Sequence, residues 1–125
     1  MEQSIKMYVR AISGICENFE IDFNEFEKNP ILLANRIILG DFIIDEVDNA
    51  LEYFWCYIEN KGALGDFSNK DILKARMAIS MLKVDTCDDD ALSESLSWFI
   101  ELTRKYGLNQ TKVGEKLFFY FNMEK

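Results

Sequence analysis

Four aspartates crowd into six residues around a cysteine in the stretch VDTCDDDALSES at 84–95. Clustered carboxylates can hold a metal, share a proton, open a helix or meet a basic partner. A calcium loop needs oxygens at alternate positions, a central glycine and a closing glutamate. DTCDDDALSESL has neither the glycine nor the spacing. Paired-carboxylate catalysis needs only two converging acids, and a chain with 22 acids contains many pairs, so that signal is empty. The helix reading accounts for more. Asp88 as N-cap, with Asp89 and Asp90 in the first turn, meets free N–H groups and complements the helix dipole.

The other chemistry-bearing residues exclude more than they suggest. The chain has no histidine, which removes Ser-His-Asp and Cys-His catalysis and the zinc sets that need imidazole. Cys16, Cys56 and Cys87 are widely spaced and match no CxxC pattern, so they are expected as reduced thiols. Cys16 falls on an apolar stripe. Cys56 sits among acids that disfavour a thiolate; Cys87, near a helix N-terminus, is the best placed of the three for reactivity, but aspartates surround it. Phosphate-binding glycine patterns are absent, and KGALGDFS at 61–68 reads as a linker. The sequence therefore predicts no catalytic residue, no metal and no cofactor.

The elements that must carry these residues are helical. One hundred and twenty-five residues, 49% of them apolar, suit one domain with a real core, and one Pro argues against a loop-rich chain. Helical spacing runs through Ile5, Tyr8, Val9, Ile12, Ile15 and Cys16 over 4–17. Residues 19–28 read as a short helix capped by Asp22 or, from the Phe19, Ile21, Phe23 alternation, as a strand; the helix is preferred. Asn29 and Pro30 open the next helix and Gly40 stops it. Asp41 is expected to cap a long helix reaching about Asn60, with Gly62 as its stop. Ser68 with Asp71 predicts a helix over 69–83, with Ile72, Leu73, Met77, Ile79 and Leu82 on a broad face. Leu92, Leu96, Phe99, Ile100 and Thr103 form one stripe ended by Gly107. The tail reads as a helix on Val113, Leu117 and Phe121, or KLFFYFNM as an edge strand. The expectation is a single all-α domain over 1–125, a bundle of five to six helices. No bilayer-length apolar run and no signal peptide are seen, so the chain reads as cytosolic.

The net charge of −8 is not spread evenly. Between Arg36 and Lys61 there are six acids and no base, and the same holds between Lys83 and Arg104. On a wheel of about 100° per residue, Asp41, Asp45, Asp48, Glu52 and Glu59 form an acidic rail. Ile43, Ile44, Val47, Leu51, Phe54 and Ile58 form a core stripe, and Phe42, Tyr53 and Tyr57 a third row. Like charges one turn apart cost a helix roughly 0.2–0.5 kcal/mol per pair. A plain solvated face, with Asp41 as an N-cap, is one reading of the rail; such a face usually interleaves cations, so partner binding is preferred, and tyrosines beside it suit an interface. The net charge argues against direct nucleic-acid binding, which needs a basic surface; it favours a basic protein partner, or simply solubility.

The stretch DTCDDDALSESLSWFIELT (85–103) resembles the second-helix region of the colicin and pyocin DNase immunity proteins. That family carries an Asp-Thr, a run of Ser and Glu, then Leu, Phe and a Glu-Met-Thr-like ending. Here these are Asp85, Thr86, Asp88 to Asp90, Leu92, Phe99 and Glu101 to Thr103. GEKLFFYF (114–121) is similar to the family's Gly-x-Asp-Leu-Ile-Tyr-Tyr-Pro segment. The resemblance covers at most 68–121, under half the chain. It implies a small acidic four-helix inhibitor that neutralises a basic nuclease toxin. Asp89, Ser93, Glu94 and Ser97 would then set toxin specificity, and Phe119 and Tyr120 would stand where the family's paired tyrosines touch the toxin. Lys116, Phe119 and Phe121 depart from the family's acid, tyrosine and proline, and residues 1–67 have no counterpart. At class level alone, the chain also resembles immunity proteins of contact-dependent growth inhibition systems: small, acidic, single-domain and cytosolic. The alternatives are an acidic nucleic-acid mimic that captures a DNA-binding protein, and a helical adaptor or oligomerisation module.

Overall fold

The computed structural model describes residues 2–62, 65, 69–82 and 89–122, without the side chains of residues 2–4 and 89. Six α-helices and no strand are found among them. They are α1 (Glu2–Asn18), α2 (Pro30–Leu39), α3 (Ile44–Asn60), α4 (Lys70–Met81), α5 (Asp89–Tyr106) and α6 (Gln110–Asn122). The all-α expectation holds, with six helices where the immunity-family resemblance implied four. The tail is helical through Asn122, so the edge-strand alternative fails among the described residues.

Helix α4 sits in the middle, against α3, α5, α1 and α2. Every residue from Ile72 to Met81 is buried, including Lys74, Arg76 and Ser80. A helix enclosed on all sides has no solvent stripe, which is why the expected broad apolar face understated its burial. Helix α1 packs against α6, α2, α5 and α4, and α5 against α4, α1 and α6. Phe54, Phe99, Leu73, Met77, Ile12 and Ile15 fill the centre with essentially no exposure.

Several helix ends follow the sequence signals. Asn29 caps α2 by accepting from the Ile31 N–H at 2.9 Å, and Pro30 takes the first helical position. Gly40 and Gly107 end α2 and α5 with φ of +78° and +103°, a left-handed backbone that suits a residue without Cβ. Three start signals are corrected or lie elsewhere. Asp41 does not cap α3: its N–H closes the end of α2 on the Arg36 carbonyl at 2.8 Å. Helix α3 starts at Ile44 with Ile43 at the cap position and no side-chain cap; Asp45 and Glu46 supply the acids of its first turn. Ile43 and Ile44, expected in the core, are exposed. Helix α4 is capped by Asn69, which accepts from the Asp71 and Ile72 N–H groups at 2.9 and 3.2 Å. The expected caps Ser68 and Asp88 lie outside the described residues, as do Asp85, Thr86 and Cys87.

Residues 19–28 form neither the preferred helix nor a strand. Helix α1 ends where Glu20 adopts φ +58° and the Ile21 N–H returns to the Cys16 carbonyl at 2.9 Å. Asp22 then accepts from the Asn24 N–H at 3.2 Å, a local turn rather than a helix cap. The alternation reflects an extended loop that buries Ile21, Phe23 and Phe26. Three contacts hold it. Phe26 lies edge-on to Phe54 and Tyr57, with centroids 5.3 and 4.8 Å apart. The Glu27 N–H donates to the Tyr53 hydroxyl at 2.9 Å. The Lys74 ammonium donates to both Glu25 carboxylate oxygens at 3.1 Å.

At the other side of the bundle, α6 closes on α1 at a glycine. A Cβ on Gly14 would overlap the Tyr120 ring. The Tyr120 hydroxyl accepts from the Asn18 amide at 2.7 Å, across 102 residues of sequence.

Candidate functional site

The inward side of α3 is set by Val47, Ala50, Phe54 and Ile58, all buried against the rest of the bundle. With 3.6 residues per turn, this burial forces Asp45, Asp48, Glu52 and Glu59 into solvent, and all four are exposed. Asp41 is also exposed, in the link before the helix. No lysine or arginine lies on α3. From α2, the Arg36 guanidinium donates to Glu46 at 2.6 and 3.1 Å. These hydrogen bonds hold the Glu46 carboxyl below, and the guanidinium above, their ordinary pKa values. Glu46 stands aside from the rail, on the edge that faces α2.

The two edges of the rail differ. Tyr53 and Tyr57 line one edge but are half-buried, spent on Phe26 and the loop backbone. Burial, with Asp71 and Glu25 nearby, raises the Tyr57 phenol pKa. Lys61 lies over its ring, 5.4 Å from the centroid. The other edge carries Trp55, 40% exposed. It opens onto a cleft of about 520 Å³ between α3 and α5, floored by α4. The floor is Arg76, Ile79 and Ser80; the α5 wall is Glu94, Ser95, Ser97 and Trp98. Behind the floor, the buried Tyr8 hydroxyl donates to the Ser80 carbonyl at 2.6 Å and ties α1 to α4. Burial raises the Tyr8 pKa well above its ordinary value, so it stays a neutral donor.

The fold thus brings Glu94 and Ser97 into one cleft bordering the rail. Ser93 is exposed on the same helix but does not line the cleft, and the Asp89 side chain lies outside the described residues. The aromatic pair of α6 is elsewhere: Phe119 is 57% exposed, and Tyr120 is half-buried on Gly14. Trp55, Trp98 and Arg76 went unnoticed in the sequence. The signal for the first two was available, since they are the only tryptophans in the chain. Arg76 was hidden because α4 lacks a polar face to mark where its side chains point.

Among the described residues, no group of three Cys, Asp or Glu side chains could hold a metal ion. No helix among them is long and apolar enough to cross a membrane. Cys16 is fully buried, and desolvation, with Glu17 nearby, pushes its thiol up to about 12; Cys56 is exposed beside the rail. No family model, curated protein or solved structure matches the chain.

Proposed function

We propose that this protein is an immunity protein, which binds a basic toxin, a nuclease by preference, and neutralises it through its acidic helical surface. One observation carries the reading: Asp45, Asp48, Glu52 and Glu59 stand exposed on a helix that has no cation of its own. Arg36, on the neighbouring α2, is committed to Glu46 at the margin. A row of uncompensated carboxylates imitates the phosphates that a nuclease cleft is built to hold. It speeds encounter with a basic partner and makes association salt-sensitive. The exposed indoles beside it supply the desolvated anchors that retain a complex. The reading needs no catalytic group in this chain, and it agrees with the likeness of 85–103 and 114–121 to nuclease immunity proteins.

The test has two stages. The full chain is used to capture partners from its source organism, with mass spectrometry. A basic nuclease whose activity falls to background at one-to-one stoichiometry is the expected result. A DNA-binding regulator released by DNA would instead replace this reading with nucleic-acid mimicry. The triple variant Asp45→Ala, Asp48→Ala, Glu52→Ala is then compared with wild type. Its association rate should fall about tenfold or more at low salt, as expected when electrostatic steering is removed. An unchanged rate would take the rail out of the account.

A further inference from the structure

Both tryptophans of the chain stand on the same cleft, on facing walls contributed by different helices. Trp55 and Trp98 keep 40% and 48% of their surface in water. The cleft, at about 520 Å³, has the size of a site that encloses a side chain or small ligand. Each indole has an exposed carboxylate one helical turn away on its own helix, Glu52 and Glu59 from Trp55 and Glu94 from Trp98; of these Glu94 lines the cleft itself and the other two lie on the rail beside it. An aromatic face flanked by carboxylates is chemistry for a cation, since the ring quadrupole attracts it and the acids balance it. A guanidinium fits better than an ammonium, being planar, able to stack and weakly hydrated. Arg76 is on the floor, 8% exposed; it and Trp98 are engaged by neighbours, although the buried Arg76 Nε has no hydrogen-bond partner among the described residues. Its charge keeps an incoming cation from the bottom of the cleft and leaves the indoles and Glu94 on the walls as the groups that could meet one. The net charge of −8 weighs against an anion entering past these acids to reach Arg76.

We infer that this cleft is the docking point for an arginine side chain of the basic protein partner; the inference rests on the reading that the partner is basic. Because the chain has no other tryptophan, its emission reports this cleft alone. A tetra-arginine peptide is titrated into the full chain at low salt, with tetra-lysine and tetra-glutamate as comparators, following both tryptophan emission and binding heat. A saturable emission change is expected, severalfold tighter for arginine than for lysine and absent for glutamate. Trp98→Leu should abolish the preference for arginine, and Glu94→Gln should weaken arginine binding about tenfold. The rail variant Asp45→Asn, Asp48→Asn should bind more weakly but keep the preference. If Trp98→Leu fails to fold by circular dichroism, Trp55→Leu replaces it. Binding heat without any emission change would overturn the cleft assignment while leaving the acidic-surface reading standing. Emission that responds to tetra-glutamate would make the cleft an anion site and overturn it too. Failure of every basic peptide would end the inference, leaving partner capture to judge the proposed function.

Discussion

Helices α3 and α4 lie side by side and handle charge in opposite ways. Helix α3 buries one side and turns Asp45, Asp48, Glu52 and Glu59 to water without a cation among them. Helix α4 is enclosed on every side, yet it carries Lys74 and Arg76 into the interior. The buried cations have structural work: Lys74 ties the 19–28 loop to the central helix through Glu25, with Asp22 3.8 Å away. The exposed acids tie nothing down. A charge that holds no neighbour can be removed without loss to the fold, whereas one buried beside its partner cannot. Burying two of the 14 bases also leaves the outer surface more acidic than the net charge suggests.

The largest effect belongs to the apolar side of α3. Phe54→Ala should cost about 3–5 kcal/mol of unfolding free energy in a urea titration, because the ring is fully buried and also supports Phe26. A loss below about 1 kcal/mol would mean that α3 is not docked through that side.

Next comes the interior cation. Lys74→Ala should cost about 1–3 kcal/mol, less than a fully buried pair, because Glu25 keeps some contact with water. Burial opposes the Lys74 charge, but the Glu25 hydrogen bond and the charges of Glu25, Tyr106 and Asp22 outweigh it and raise the pKa. A raised pKa means that the contribution is complete below the ordinary lysine value of about 10.4. It is lost as pH climbs through the higher folded-state value. Alkaline unfolding curves of wild type and Lys74→Ala should therefore converge above that range; a constant gap would show that the side chain acts by packing alone.

The rail should yield the smallest change in stability. Asp45→Asn, Asp48→Asn, Glu52→Gln relieves two like-charge pairs at roughly 0.2–0.5 kcal/mol each and gives up the favourable dipole contact of Asp45. The net change should stay within about 0.5 kcal/mol of wild type. A loss above about 1.5 kcal/mol would place the rail in the fold's own energetics and erase the contrast with α4.

A chemical probe separates the two environments without any substitution. Iodoacetamide at neutral pH should label Cys56 in the native protein and spare Cys16 until it unfolds, as read by peptide mass mapping. Early labelling of Cys16 would contradict its full burial.

How far the sequence could be read follows the same division. Stop glycines and the Asn29–Pro30 start act within one turn, and the structure keeps them. The α5 stripe is also kept: Leu92, Phe99 and Thr103 are buried, and Leu96 and Ile100 partly so. A wheel drawn for α3 alone identified the acids that end in solvent. It could not show that Tyr53 and Tyr57 would be covered by the loop before α2, because that neighbour lies outside the helix. The 19–28 alternation fits a strand and an extended anchored loop equally well, and only the partners Lys74 and Phe54 decide between them. The cleft was illegible for a related reason: its walls stand 43 positions apart in sequence, at Trp55 and Trp98, and meet only across α4.

The contact of Tyr120 with Gly14 and Asn18 bears on how the chain is made. It joins two helices whose contacting residues lie 102 positions apart in the chain. Until α6 has been made, the α1 surface around Gly14 is uncovered, and α6 must close a very long loop to reach it. The patch around Gly14 and Asn18 is therefore covered later than the faces of α1 that meet α2, α4 and α5. A chaperone that holds incomplete chains would act on this seam first.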